Sequence, residues 1–290
     1  MHVELVLDAK AVLGEGPLWH APTQRLYWVD IERHEVHVFD PATGHDRAVD
    51  AGQKVGTVVV RRRGGLVLAL HHGFATLDLD TGQVTLLADP EARLPDNRFN
   101  DGKCDPAGRF WAGTMSLTRK PGTANLWRLD PDLTVHHVLG GVTTSNGLVW
   151  SLDHRTMYYI DTPTREVAAF DYEPATGHIA NRRAVVAFPD GAGSPDGMAI
   201  DARGMLWIAH FRGGRVSCWD PAGGTMLQAV DLPVRKVTAC AFGGPNLDEL
   251  YITTARVELT DEELRAQPHA GALFRVRPGV PGVEAFEFAG

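Results

Sequence analysis

A six-fold recurrence of short apolar runs constrains this chain more than any other feature. The runs are LYWVD (26–30), LVLAL (66–70), FWAGT (110–114), MYYID (157–161), LWIAH (206–210) and LYITT (250–254). Their first residues lie 40, 44, 47, 49 and 44 positions apart. Each follows turn residues such as RGG, AGR or ARG. Each precedes a second short run: VHVFD (36–40), TLDLD (76–80), LWRLD (126–130), VAAFD (167–171), VSCWD (216–220) and LFRVR (273–277). Five of these end in aspartate, after which DPATG, DTG or DPAGG supplies turn chemistry. Helical periodicity is almost absent. The exception is TDEELRAQ (260–267), with Thr260 as N-cap and acids in the first turn. Units of several short strands at a period of 40–50 residues are the mark of a β-propeller. The expectation is one all-β domain over residues 1–290: a six-bladed β-propeller of four-stranded antiparallel blades around a central, metal-holding channel. The alternating stretches HVELVL (2–7) and VEAFEF (283–288) should be strands that close the ring, in one shared blade, and so hide an exposed edge. A pair of β-sandwiches would not explain a six-fold period.

Charge and motifs narrow the function. Lys and Arg number 28 against 36 Asp and Glu, a net charge of −8, which argues against nucleic acid or an anionic membrane as partner. The one basic cluster, Arg61-Arg62-Arg63, precedes Gly64-Gly65 and reads as a solvated hairpin end. No apolar run approaches the roughly 18 residues of a membrane span. The charged start MHVELVLDAK does not read as a signal peptide. Cys104, Cys218 and Cys240 form neither a zinc pattern nor an even disulfide set, so a reducing cytoplasm is the expected home. The nucleophile elbow, dinucleotide and P-loop patterns are missing.

The repeat itself points to a site. Stepping back 9–11 residues from each recurring run finds a polar residue followed by glycine in four units: Glu15-Gly16, Asp101-Gly102, Asn146-Gly147 and Asp196-Gly197. The other two units hold Val55-Gly56 and Ala239-Cys240 there. Residues at equivalent positions of a propeller converge on its axis. Three acids brought together repel one another, and burial adds to the cost; a divalent cation relieves both. An all-oxygen donor set suits a hard ion such as calcium, magnesium or manganese. Asp-Gly and Asn-Gly are ordinary turn pairs, but turn chemistry does not explain the shared register. The glycines are expected to supply a sharp turn onto the inner strand. A second set lies four residues into the runs: Asp30, Thr114, Asp161 and His210. These are either hydrogen-bond partners of the ligands or caps of strand ends, and His210 is a candidate substrate contact.

Longer strings extend this reading. LGEGPLWH (13–20), NRFNDGKCDPAGRFWAGTM (97–115), SNGLVWSLDHRTMYYID (145–161), SPDGMAIDARGMLWIA (194–209) and CAFGGPNLDELYITTAR (240–256) cover most of the chain. With them it resembles the gluconolactonase/regucalcin (senescence marker protein) family. The resemblance implies hydrolysis of a sugar-acid lactone, such as a glucono-, xylono-, arabinono- or galactonolactone, in oxidative sugar catabolism. It implies one divalent ion held by Glu15, Asn146 and Asp196, calcium first, with zinc, manganese, magnesium or ferrous iron as alternatives. Arg98 and Asn100 would face the substrate, with Asp101 a further candidate, and Asp196 would act as general base. The stretch SLTRKPGTANLW (116–127) departs from regucalcin, which is longer and acidic here, so substrate choice turns on a loop that differs. The expected partner is a small sugar lactone, and the expected state a monomer or weak homo-oligomer. Two rivals stand beside this reading: a phosphotriesterase-like metal hydrolase and a non-catalytic calcium-binding propeller.

Overall fold

Each recurring run folds as the second strand of a sheet, and the residues before it form the strand nearest the axis. A computed structural model describes residues 1–290 as six four-stranded sheets, all paired antiparallel and, in the first five, in sequence order outward from the axis. The inner strands are Gly14–His20, Val55–Val60, Asn97–Cys104, Ser145–Trp150, Ser194–Ile200 and Val237–Gly243. The second strands are Arg25–Asp30, Leu66–Leu70, Phe110–Ser116, Thr156–Asp161, Leu206–Phe211 and Glu249–Thr254. Burial grades with distance from the axis. Val55–Val60 is buried at every position, because neighbouring blades cover both its faces, whereas the outermost strand His45–Asp50 is largely exposed. This is the expected six-bladed β-propeller.

All six inner strands start at the same mouth of the channel, called the upper mouth below. The turns that follow them define the lower mouth. One blade motif explains part of the repeat. In DPAGRFW and DARGMLW, Asp105 and Asp201 each accept two backbone N–H groups of their turn and one tryptophan indole N–H, from Trp111 at 2.9 Å and Trp207 at 3.1 Å. The aspartate thus fixes the turn and anchors a fully buried ring between blades.

The two termini behave differently from each other. Glu4–Leu7 pairs with Leu273–Val276 and becomes the outer strand of the sixth blade, so the N-terminus does close the ring. Residues 283–288 form no strand, which corrects the expectation of a shared closing blade. Residues 4–7 already occupy the edge the tail would have needed. The C-terminal segment instead crosses the lower mouth. Gly282 donates to Leu247 O at 2.8 Å, Arg62 N donates to Phe288 O at 2.9 Å, and Ala289 N donates to Gly108 O at 2.9 Å. Phe288 is completely buried there. The helix Asp261–Ala266 lies in the last connection, with Thr260 and Glu263 forming a reciprocal capping box. Arg61–Arg63 does form a hairpin end, closed by Arg61 N donating to Gly65 O at 3.1 Å. No helix is long and apolar enough to cross a membrane.

Candidate active site

The polar residue-glycine pairs lie inside the inner strands, not before them. Pairing with the second strand breaks between Glu15 and Leu18, Phe99 and Gly102, Ser145 and Leu148, and Pro195 and Met198. The same break occurs at Val55/Thr57 and Val237/Ala239, so all six blades carry a bulge at one level. A bulge re-aims side chains that a regular strand would point at its neighbours. Here it turns Glu15, Asn146 and Asp196 into the channel interior.

The glycines have a different task from the turn expected of them. Only Gly16 has a positive φ, of 53°. A Cβ on Gly147 would come within 2.6 Å of Met198 Cβ, and one on Gly197 within 2.3 Å of Ala239 Cβ. A Cβ on Gly56 would meet Asn100 O at 2.4 Å. In each case the obstacle belongs to the next blade. These glycines let adjacent inner strands approach closely at the axis.

The strands are held in register by the second set of residues. Asp30 accepts Val12 N at 2.8 Å and Leu13 N at 3.1 Å, directly ahead of Glu15. Asp161 does the same for Thr143 N and Thr144 N, at 3.1 and 2.8 Å, directly ahead of Asn146. They hold the segments that carry Glu15 and Asn146 and make no hydrogen bond to those side chains. Thr114 donates to Glu91 Oε1 at 2.9 Å. The structure does not bring His210 into the group. Its Nδ1 bonds Ala192 O at 2.7 Å, its Nε2 bonds Ser217 Oγ at 2.5 Å, and its ring packs on Phe188. Both nitrogens are used within its own blade, which removes it as a substrate contact. Burial, with Arg215 nearby, keeps its pKa below the ordinary histidine value.

Glu15, Asn146, Asp196, Arg98, Asn100 and Asp101 are all buried, each at most 6% exposed. Burial first, and then the charge of Asp101, push Glu15 up to about 8. Burial and the neighbouring Glu15 carboxylate raise Asp196 well above the usual carboxylate range, against hydrogen bonds from Asn146 and Gly197 that favour the charged form. Burial raises Asp101 as well, and the Lys103 ammonium opposes it. Two like charges forced together in a dry place are the condition a cation relieves. Asn146 supplies a neutral oxygen. Its Nδ2 donates to Thr162 Oγ1 at 3.0 Å, which leaves Oδ1 buried with no donor. That orphaned oxygen beside two acids fits a hard cation. No three His, Cys, Asp or Glu side chains come together at one point here, and the oxygen that stands beside the two acids is the amide of Asn146.

Arg98 and Asn100 sit beside this group. Arg98 Nη1 donates to Asn100 Oδ1 at 2.7 Å and to Phe99 O at 2.9 Å, while its Nε has no partner. Asn100 Nδ2 donates to Ser145 O at 2.7 Å and so ties blade 3 to blade 4 next to Asn146. Asn100 therefore aims Arg98, and Arg98 keeps the free donor. Asp101 points the other way and lines the lower half of the channel.

Two contributors escaped the sequence reading. Glu91 is buried, and it accepts from Asn97 Nδ2, Thr114 Oγ1, Asn125 Nδ2 and Trp127 Nε1 at 2.7–2.9 Å, which anchors the connection into the Arg98 strand. It lies in the irregular stretch DPEARLPDN, where no pattern marks it. Lys103 donates to Met198 O at 2.8 Å, and its charge favours ionised Glu15 and Asp101. A second cation after Arg98 in an otherwise inward-facing strand was the available signal.

A cavity of about 330 Å³ lies away from this group. It is the lower half of the channel, lined by Leu18, Trp19, Val149, Trp150 and Phe242 and covered by Val283–Phe286. Its apolar walls offer little to a sugar. The hydrogen-bonding groups gather at the upper mouth, so the chemistry is placed there.

Comparison with known proteins agrees with this fold. Residues 13–256 match the family model described as SMP-30/Gluconolactonase/LRE-like region. The chain is 41% identical over 290 residues to a Bacillus subtilis protein named as a sugar lactone lactonase, YvrE, covering 100% of this chain and 99% of that one. It is 43% identical over 291 residues to regucalcin of Danio rerio, covering 99% and 98% of the two chains. The solved structure of a calcium-binding protein, regucalcin from Agrobacterium tumefaciens, superposes with a TM-score of 0.95 at 26% identity, covering 99% and 97%. Two full-length relatives above 40% identity and a family model over most of the chain lead to one conclusion: this protein belongs to the SMP-30/gluconolactonase/LRE-like family.

Proposed function

We propose that this protein hydrolyses the ring ester of a sugar-acid lactone, of the five- or six-carbon aldonolactone type, with Glu15, Asn146 and Asp196 holding a divalent cation. The observation that carries the reading is the buried pair of raised carboxylates, Glu15 and Asp196, with the donorless oxygen of Asn146 and the free Nε of Arg98 beside them. Calcium is the first candidate, since the donors are all oxygen and the Agrobacterium relative is described as calcium-binding. When bound, such an ion supplies Lewis-acid polarisation of the ester carbonyl.

The chain's own groups do the rest. Arg98 donates to the carbonyl or a ring hydroxyl, and Asn100 holds its guanidinium in line. Asp196 takes the proton of the attacking water as the tetrahedral species forms. The positions ahead of Glu15 and Asn146, clamped by Asp30 and Asp161, keep the donors fixed while charge develops.

The test is hydrolysis of glucono-, xylono-, arabinono- and galactonolactone, followed by proton release, with and without chelator. Glu15→Gln and Asp196→Asn should each abolish turnover in a folded protein, and unchanged turnover in either would overturn the reading. Tight cation binding without turnover of any lactone would leave a non-catalytic propeller. Faster cleavage of an aryl phosphotriester than of every lactone would favour the phosphotriesterase-like alternative.

A further inference from the structure

A second charged cluster stands over the same mouth. Arg119 lies on the upper connection of blade 3, and its guanidinium pairs with Glu258 in the last connection of blade 6. In a ring of six, blades 3 and 6 are opposite, so this pair reaches across the opening. Arg212, on the upper turn of blade 5, donates to the other oxygen of the same carboxylate at 3.0 Å. Lys236, between blades 5 and 6, stands 3.8 Å from it. Arg212 and Lys236 both lie over the ring of Phe211, 5.8 and 5.4 Å from its centre.

The cluster borders the candidate active site on two sides. Ala255 bridges to Leu13, two residues before Glu15, and Val12 O accepts from Arg256 N and Val257 N at 3.1 and 2.8 Å. Phe211 pairs with Ser194, two residues before Asp196. Charge is unbalanced here. Three cations share the Glu258 carboxylate, and the only further acid acting on Lys236 is Glu263, whose side chain is bound to Thr260. The Lys236 side chain is only 4% exposed, so water does little to offset its charge. The guanidiniums of Arg119 and Arg212 are more than half exposed, and each touches Glu258 through a single nitrogen. Each keeps free N–H groups for the oxygens of a carboxylate or a phosphate.

We propose that the lactone this site accepts carries an oxyanion, a carboxylate or a phosphate, at the end remote from the ring ester, bound by Arg119, Arg212 and Lys236 beside Glu258. The proposal rests on the lactone reading above and names its substrate class. It does not involve the acids that hold the cation.

The experiment compares gluconolactone, which is neutral, with glucarolactone and 6-phosphogluconolactone. A charged lactone should exceed the neutral one in kcat/KM by about tenfold or more. The advantage should shrink as ionic strength rises. It should fall toward unity in Arg119→Gln/Arg212→Gln and grow in Glu258→Gln, which removes the competing carboxylate. A purely structural latch would instead make Glu258→Gln lower all three lactones alike, and that result would overturn the proposal. Equal use of neutral and charged lactones by the wild type would overturn it too, as would an advantage that survives the double substitution. If no lactone is opened, calorimetry with glucarate and inorganic phosphate separates the two ideas. Binding lost in the double variant sustains the anion site while the lactone reading fails, and no binding refutes both.

Discussion

Gly197→Ala tests the account of the inner ring most directly. Gly197 does not have a positive φ, so alanine costs nothing in backbone conformation there. The obstacle is steric. The new Cβ would lie 2.3 Å from Ala239 Cβ and 2.7 Å from Ala239 Cα. Carbon atoms pack at about 3.5–4.0 Å, so blades 5 and 6 must separate by roughly 1.2–1.7 Å. Ala239 has no rotamer with which to yield, and the shift falls on the backbone that carries Asp196. Overpacking of this kind costs about 1–3 kcal/mol. For a chain of this size that lowers Tm by about 2–6 °C. A displacement near 1 Å at a reacting group costs on the order of a hundredfold in rate. Thermal unfolding and lactone kcat/KM, measured on the same preparation, report both effects. Gly44→Ala is the control: its φ is 71° and nothing lies within 4 Å, so it should cost about 1–2 kcal/mol of left-handed strain and no activity. Gly16→Ala carries both burdens, with φ 53° and Thr57 Oγ1 at 3.1 Å. If Gly197→Ala keeps wild-type Tm and turnover while Gly16→Ala does not, the glycines serve turn geometry and the close-approach argument is wrong.

Three further outcomes are expected. In chelator at pH 8, Glu15→Gln should unfold at a higher temperature than wild type, by about 1 kcal/mol or more of stability, because it removes a buried carboxylate that burial and Asp101 hold high and that in turn raises Asp196. A lower Tm would contradict this. Asp161→Asn replaces a carboxylate that accepts two backbone N–H groups, so it should cost about 1.5–3 kcal/mol and weaken cation binding through Asn146; isothermal titration with calcium checks the second effect. His210→Gln should leave KM for a lactone unchanged, which the kinetics would contradict if His210 met the sugar. Because folding lowers the His210 pKa below 6.5, the folded state binds fewer protons than the unfolded chain there. Its contribution is complete above pH 6.5 and is lost as pH falls toward the folded pKa. The wild type should therefore lose Tm faster than His210→Gln between pH 6.5 and 5.

The sequence by itself determined the architecture. Six runs at a near-constant period, each flanked by turn residues, permit a ring of small sheets and little else, because each unit is too small to bury its own apolar faces. The same period put Glu15, Asp101, Asn146 and Asp196 on one level, since equivalent positions in a closed ring must face one axis, but it could not tell Asp101, which lines the lower cavity, from the other three. The tertiary structure decided how those positions are used. Backbone patterns cannot reveal that Gly147 and Gly197 make room for the next blade, because that need arises only once two blades pack. They cannot show that His210 spends both nitrogens on Ala192 and Ser217, or that Glu91 gathers four donors, since hydrogen-bond partners far apart in sequence leave no periodic trace. Residues 283–288 alternate like a strand, and only the prior claim of Glu4–Leu7 on the last open edge sends them across the lower mouth. The clasp of Arg119 on Glu258 belongs to the same class: it exists because ring closure sets blade 3 opposite blade 6.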